Sequence, residues 1–408
     1  MRKIFAILTA LLLVSCSMNH DEVVVAMKAT QLTKISKEQA LKNLYSELKF
    51  IDEGTRAEGT QREVKSIKPL VGAVTRSGNA LDNDLLYIVE FGEGQGSAVV
   101  AADTRLEPVI AVLDSDVLTA EDFANEDMED ISAYMASMIE DYTISVASSE
   151  GPIPMIPAPD DDQEIIYHYN IQPLLKTKWH QDTPYNNKCV EVYGSGYVAG
   201  CWPIALAQFM YYMNPTAGVI VNNTYFLMSS FSSLEHRVFP TPQATNLIAS
   251  FIYCIGQDTD ADYSPGATGV QRNNAVNFLK NTPGISYPNA ALASYNSSSI
   301  FPKLNLGKVV LTCGTTILGE GHAWVIDGGH YYTIRGTRYN SDGTADYVSE
   351  SHKCVHCNFG WGGICDGYYT DGIFNTAIPN YEIDFANGDE TYEYGESNFD
   401  RNLQIINY

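Results

Sequence analysis

Apolar residues along this chain recur at two different spacings, and the alternation between them outlines the elements. Ala40, Leu41, Leu44, Tyr45 and Leu48 return every three or four residues, which predicts an amphipathic helix over residues 36–48. Three short apolar runs follow, Leu85–Phe91, Ser97–Ala102 and Val109–Leu113, with Gly-rich or Asp-rich turns between them; these are predicted strands. Helical spacing returns in Met128, Ile131, Met135, Met138 and Tyr142, behind Thr119 and Asp122, which have the form of a capping box. The opposite face of that acidic helix carries Glu126, Asp127, Glu129, Asp130 and Glu140 and is expected to meet solvent. Residues 52–79, rich in Gly, Thr, Arg and Lys, are expected to be extended or mobile.

The pattern breaks at residues 148–162, where Ser, Pro and Asp suppress helix and strand alike. Beyond it, helices are predicted from Cys201 to near Asn214, over Ala244–Ile255 and over Val270–Lys280. Strands are predicted at Val309–Cys313, Ala323–Gly328, Tyr331–Arg335, Tyr347–Glu350, Cys357–Phe359 and Tyr368–Thr370. A helical front half followed by a strand-rich back half predicts two lobes with a cleft between them.

With 408 residues, 45% of them hydrophobic, the chain can build two domains with substantial cores. A net charge of −24 argues against nucleic acid or an anionic membrane surface as a partner. The N-terminus differs from the rest. Arg2 and Lys3 precede the apolar run Ile4–Val14, an export signal with a short apolar centre. Leu13-Val14-Ser15-Cys16 resembles a bacterial lipobox, which makes Cys16 the expected lipidation site. Lipid on Cys16 would hold the chain at the bacterial cell envelope, at the outer membrane or cell surface, without a spanning helix. The expected division is a signal peptide at 1–15, a tether at 16–25, an N-terminal domain at 26–150, an acidic Pro-rich linker at 151–170 and a second domain at 171–408.

Candidate chemistry centres on Cys201. It follows Gly200 and opens an apolar helix whose first turn contains Pro203, a residue that suits a position needing no N–H donor. A sulfur at a helix N-terminus meets unpaired N–H groups and the positive dipole end, which favour thiolate. A thiolate nucleophile needs a base, and the base needs an orienter. His322 opens the apolar strand after Gly321, and Asn358 lies among the aromatics and glycines of His356-Cys357-Asn358-Phe359-Gly360-Trp361-Gly362-Gly363. A single Cys or His is more often a packing residue. The chain order Cys, His, Asn, with each residue beside a glycine-flanked element end, instead reads as a catalytic triad of the papain-like order.

Several stretches together resemble one family. They are Trp179-His180-Gln181-Asp182-Thr183-Pro184-Tyr185-Asn186, Gly200 through Gln208, Gly321 to Gly328 and Asn358 to Gly363. Tyr87–Phe91 and Gly96–Arg105 are similar to a propeptide of the same kind. On these motifs the chain resembles the streptopain-like secreted cysteine proteases of the papain clan, in zymogen form. The resemblance implies an α+β fold: a papain-like catalytic domain, with a helical lobe and an antiparallel β lobe, preceded by a small α+β propeptide domain. It implies Cys201 as nucleophile, His322 as acid/base, Asn358 as its orienter and Gln181 as a donor to the oxyanion. Phe359 and Trp361 would shelter the site, Phe359 standing where many relatives carry Trp. The expected activity is an exported cysteine endopeptidase that hydrolyses protein or peptide substrates. It is expected to be monomeric and to need no metal or organic cofactor. The propeptide at 26–150 would act as an intramolecular inhibitor until a cut near 150–170, after which the mature protease could leave the anchor. Two alternatives share these residues: a papain-fold acyltransferase or transglutaminase, and a catalytically dead surface-binding lipoprotein.

Eight cysteines are present. Besides Cys16 and Cys201 these are Cys189, Cys254, Cys313, Cys354, Cys357 and Cys365, expected as buried thiols or one local disulfide. Cys354-Val355-His356-Cys357 with Cys365 has zinc-like spacing. Cys357 and Cys365 flank the Asn358 strand, however, and zinc is the less favoured reading of that run.

Overall fold

The computed structural model describes residues 34–52, 62–70, 85–125, 127, 130–147, 164–235, 241–285, 287–315, 321–339, 345–373 and 403–408. The expected signal peptide, Cys16 and its tether lie outside these residues, as do positions 151–163 of the expected linker.

Ser36 starts the first helix, α1 (Lys37–Ile51), by accepting a hydrogen bond from the Gln39 N–H at 3.2 Å. Its apolar stripe of Ala40, Leu44, Leu48 and Ile51 is buried against a sheet built from β1 (Val64–Pro69), β2 (Leu86–Phe91), β3 (Ser97–Ala101) and β4 (Val109–Leu113). β1 falls in the stretch expected to be extended or mobile; its exposed Lys65 and Lys68 hid a sheet-edge strand. Every residue of β3 and β4 is buried, because the sheet is covered on both faces. Ala98, Val100 and Val112 pack toward α1, whereas Val99, Ala101 and Leu113 pack into a second core.

That second core is closed by the helices expected as one acidic element. The structure has two: α2 (Ala120–Ala124), with the Thr119–Asp122 capping box formed, and α3 (Ile131–Ala147). Tyr134, Met135, Met138, Ile139 and Tyr142 of α3 are buried. Glu140, expected to face solvent, is only 4% exposed. The acidic face is therefore narrower than the sequence pattern implied.

Residues 164–170, the end of the stretch expected as linker, belong to β5 (Glu164–Ile171). The helical lobe follows: α4 (Asn187–Tyr193), α5 (Cys201–Met213), the hairpin of β6 (Gly218–Val221) and β7 (Thr224–Leu227), α6 (Pro242–Asp258), the hairpin of β8 (Asp262–Ser264) and β9 (Ala267–Gly269), and α7 (Arg272–Asn281). The chain then forms β10 (Ala291–Ser294), α8 (Ser297–Asn305), β11 (Val310–Thr315), β12 (Gly321–Tyr339), β13 (Ala345–Asn358), β14 (Gly367–Thr370) and β15 (Gln404–Asn407). No helix among the described residues is long and apolar enough to cross a membrane.

One antiparallel sheet of eleven strands joins both parts of the chain, in the order β1-β2-β3-β4-β14-β13-β12-β11-β15-β10 with β5 also on β12. The architecture is α+β. β12 and β13 were each expected as two strands. They are continuous because β12 changes partner at Gly328–Gly329, pairing β11 before that point and β5 after it. A Cβ on Gly328 would stand 2.9 Å from the Ile171 carbonyl oxygen, so glycine allows the crossing.

The N-terminal and C-terminal parts meet where β4 pairs β14, with Leu113 opposite Gly367 and Val112 opposite Tyr368. A Cβ on Gly367 would lie 2.4 Å from the Val112 carbonyl oxygen. The join requires glycine there.

Candidate active site

Gly200 sets the start of α5. Its φ of +93° belongs to a region that L side chains rarely adopt, and a Cβ there would lie 2.8 Å from the Thr268 methyl. Cys201 is thereby the first residue of α5, half-buried, with Trp202, Ile204, Ala205 and Leu206 in the core behind it. The Ala323 and Trp202 backbone N–H groups lie near its sulfur and favour the thiolate. Burial pushes the Cys201 thiol pKa up, and these donors only partly oppose the shift.

Ala323 is the neighbour of His322, and that is where the strand pattern matters. Successive side chains of β12 point to opposite faces. Ala323 and Val325 pack with the helical lobe, whereas Trp324 and Ile326 pack with the core under α3. His322 shares the side of Trp324. Its ring stacks on Trp361 with centroids 4.2 Å apart, lies 6.1 Å from Trp324, and meets the edge of Tyr134 of α3 at 6.1 Å. Its Nε2 is 3.0 Å from the Phe359 carbonyl oxygen. Burial pulls the His322 pKa down to about 4, against the opposing effect of that carbonyl. At neutral pH His322 is an uncharged, enclosed imidazole.

Asn358 pairs Val325 across β12 and β13, so its amide faces the helical lobe. Its Nδ2 donates to the Thr177 carbonyl at 2.8 Å, and its Oδ1 accepts from Gln208 Nε2 at 2.9 Å and from the Gly360 N–H at 3.1 Å. Gln181 is half-buried in the segment before α4, and its backbone carbonyl accepts the Ala199 N–H at 2.8 Å. The structure thus brings Cys201 to the backbone of residue 323 and fastens Asn358 to the Cys201 helix. It does not join Cys201, His322 and Asn358 in one hydrogen-bonded line; the imidazole lies across the strand from the other two.

Phe359 and Trp361, expected to shelter the site, do touch His322: Phe359 through its carbonyl, Trp361 through its ring. The turn carrying them is anchored by Asp366, which accepts the Phe359 N–H at 3.0 Å and pairs with Lys178 at 2.9 Å. Burial raises the Asp366 pKa, but the Lys178 ammonium beside it favours the charged form.

Sequence reasoning missed Gln208, Thr177 and Tyr134. Gln208 had one available signal, a fully buried amide within an otherwise apolar helix. The six other described cysteines, Cys189, Cys254, Cys313, Cys354, Cys357 and Cys365, are buried free thiols. The zinc-like run is split by strand alternation: Cys357 and Cys365 lie in the core under α3, and the Cys354 sulfur lies near Glu47 of α1.

The chain is similar to several known proteins. Residues 179–369 match the Peptidase C10 family. Streptopain from Streptococcus pyogenes serotype M28 is 25% identical over 360 residues, covering 79% of this chain and 82% of that protein. Streptopain from serotype M1 gives the same identity and coverage. A solved mutant fragment of Prevotella intermedia prointerpain A shares the fold. It has a TM-score of 0.52 and 18% identity, covering 85% of this chain and 98% of that chain.

Proposed function

Since the chain is a streptopain-like cysteine peptidase of the C10 type, we propose that it is an endopeptidase precursor in its latent arrangement. The observation that carries this reading is the position of one imidazole. Cys201 sits at a helix N-terminus beside the Ala323 N–H, one residue from His322, while His322 is turned to the opposite face of β12 under α3. Removal of α3 takes Tyr134 away and uncovers the imidazole. A rotation about residues 321–322 then carries the ring over the strand toward the sulfur and the Asn358 side.

In the active arrangement His322 takes the Cys201 proton, and the resulting thiolate attacks the peptide carbonyl. The sulfur–carbon bond forms as the carbonyl π pair moves to oxygen. The Cys201 N–H and the Gln181 amide hold that oxyanion, one such donor being worth about 10²–10³ in turnover. The imidazolium then protonates the departing amine as the C–N bond breaks, and later takes a proton from the water that releases the acyl group. Asn358, with Phe359 and Trp361 around it, orients the ring. Proteins and peptides are the substrates, and none of these steps calls on a cofactor.

The N-terminal part inhibits by more than proximity. It continues the catalytic sheet through β4–β14 and buries carboxylates against histidines of the second part. Glu47 contacts His330, Glu107 reaches His352 at 2.9 Å, and Asp114 reaches His356 at 3.3 Å. A tethered inhibitor of this kind has a high effective concentration until the chain is cut. α3 ends at Ala147 and β5 begins at Glu164, so the productive cut lies between them. Export by residues 1–15, lipidation of Cys16 and release of the mature enzyme complete the reading.

The test is expression of residues 17–408 beside a Cys201→Ala copy. The unmodified chain should shorten and digest casein to small peptides, and the variant should do neither. Heavier, crosslinked casein would indicate acyl transfer instead, and identical behaviour of both chains would defeat the reading.

A further inference from the structure

Away from Cys201, on the sheet face beneath α1, three side chains from three elements converge. Glu47 comes from α1, His330 from β12 and Cys354 from β13, where His330 and Cys354 are direct cross-strand partners. All three are buried. Glu47 Oε1, a His330 ring nitrogen and the Cys354 sulfur lie within 4.8 Å of one another.

We propose that Glu47, His330 and Cys354 form a binding site for Zn²⁺ or a chemically similar transition-metal ion, joining α1 to the sheet. A carboxylate, an imidazole and a thiolate are all ordinary zinc ligands, whereas Ca²⁺ and Mg²⁺ call for oxygen alone. Tetrahedral zinc, with bonds of about 2.0–2.3 Å, separates its donors by roughly 3.3–3.6 Å. The Cys354 sulfur is already 3.6 Å from Glu47 Oε1. His330 Nε2 contacts the same oxygen, so admitting an ion requires a small parting of this pair.

The surroundings suit a metal as well. Tyr332 donates to the other Glu47 oxygen at 2.6 Å, which leaves Oε1 turned to His330 and Cys354; outer partners of this kind orient metal ligands. A cavity of about 40 Å³ adjoins Glu47 and Cys354 and is also lined by Glu107 and His352. Glu107 Oε1 and His352 Nε2 are buried without a hydrogen-bond partner beside this cavity, so they can hold a water that serves as the fourth ligand. His330 Nδ1 likewise has no partner. Binding takes the Cys354 thiol proton away. The proton between His330 and Glu47 either leaves or passes to Nδ1, freeing the Nε2 lone pair for the ion.

The site shares the Glu47–His330 contact between the N-terminal part and the sheet but not the Cys201 chemistry, and its test needs no turnover. Co²⁺ is titrated into the Cys201→Ala chain, which cannot be cut by its own nucleophile, and the absorption spectrum is recorded. One equivalent should produce a thiolate-to-cobalt charge-transfer band with intense tetrahedral visible bands, and Zn²⁺ should abolish both. Cys354→Ser should lose the charge-transfer band. Tyr332→Phe keeps every ligand and guards against a folding artefact; it should keep the band while binding about 10–100-fold more weakly. Absence of the band at one equivalent, its survival in Cys354→Ser, or unchanged affinity in Tyr332→Phe would overturn the site.

Discussion

At the scale of single residues, the proposed latent site is held by contacts that need no substrate, His322 to the Phe359 carbonyl and Asn358 to Thr177, Gln208 and Gly360. Burial depresses His322 and raises Cys201, so both groups are kept neutral, the opposite of the ion pair a cysteine peptidase uses. Asn358 is fixed just as firmly, and Gln208 is its link to the nucleophile helix. Replacing Gln208 with Leu leaves the Asn358 oxygen with the Gly360 N–H as its remaining donor, a loss of about 0.5–1.5 kcal/mol. The measurable result is a lower Tm for the precursor; an unchanged Tm would show that the Gln208 bond contributes nothing. Cys201, His322 and Asn358 stood out in the sequence because each sits at a glycine-marked element end. The face on which His322 lies was not legible. Strand register decides it, and the register is set by the pairing of His322 with Gly314 of β11, which residue spacing does not report.

Among the elements, the apolar runs that became β3 and β4 were readable because both of their faces are buried, and β2 because its run is apolar apart from Glu90. β1 and β5 escaped notice because edge strands carry Lys, Glu and Tyr on their open sides. The division of the acidic segment into α2 and α3 depends on packing over the sheet, which periodicity alone does not report. The β4–β14 join makes a specific prediction. Gly367→Ala drives a methyl into the Val112 carbonyl, an overpacking that typically costs about 1–3 kcal/mol. The precursor's Tm should therefore fall by several degrees, whereas the processed enzyme, having lost Val112, should tolerate the alanine. Equal destabilisation of both forms would mean that β4 is not the partner that makes glycine necessary.

For the molecule as a whole, latency and stability are linked through His322. Its folded pKa of about 4 lies below its ordinary 6.5. The closed arrangement is thus at full strength above about pH 6.5 and weakens as pH falls toward 4, by up to about 1.4 kcal/mol per unit. Asp114 behaves differently: the His356, Lys178 and Arg62 charges outweigh its burial and hold its pKa at about 2, so its contribution survives throughout that window. The Tm of the Cys201→Ala precursor should drop between pH 7 and pH 5, and adding His322→Gln should flatten the slope. An identical slope in the two proteins would place the acid sensitivity elsewhere.

The central claim is that one chain holds a competent nucleophile whose base is turned away by its own leader. Labelling Cys201 with a thiol-directed epoxide at neutral pH, before and after the chain is cut between Ala147 and Glu164, addresses it most directly. The cut protein should react selectively at Cys201 and at least about a hundredfold faster, in line with a thiol pKa falling by several units once its imidazole arrives. Equal rates before and after the cut, or labelling spread over the other thiols, would contradict the account.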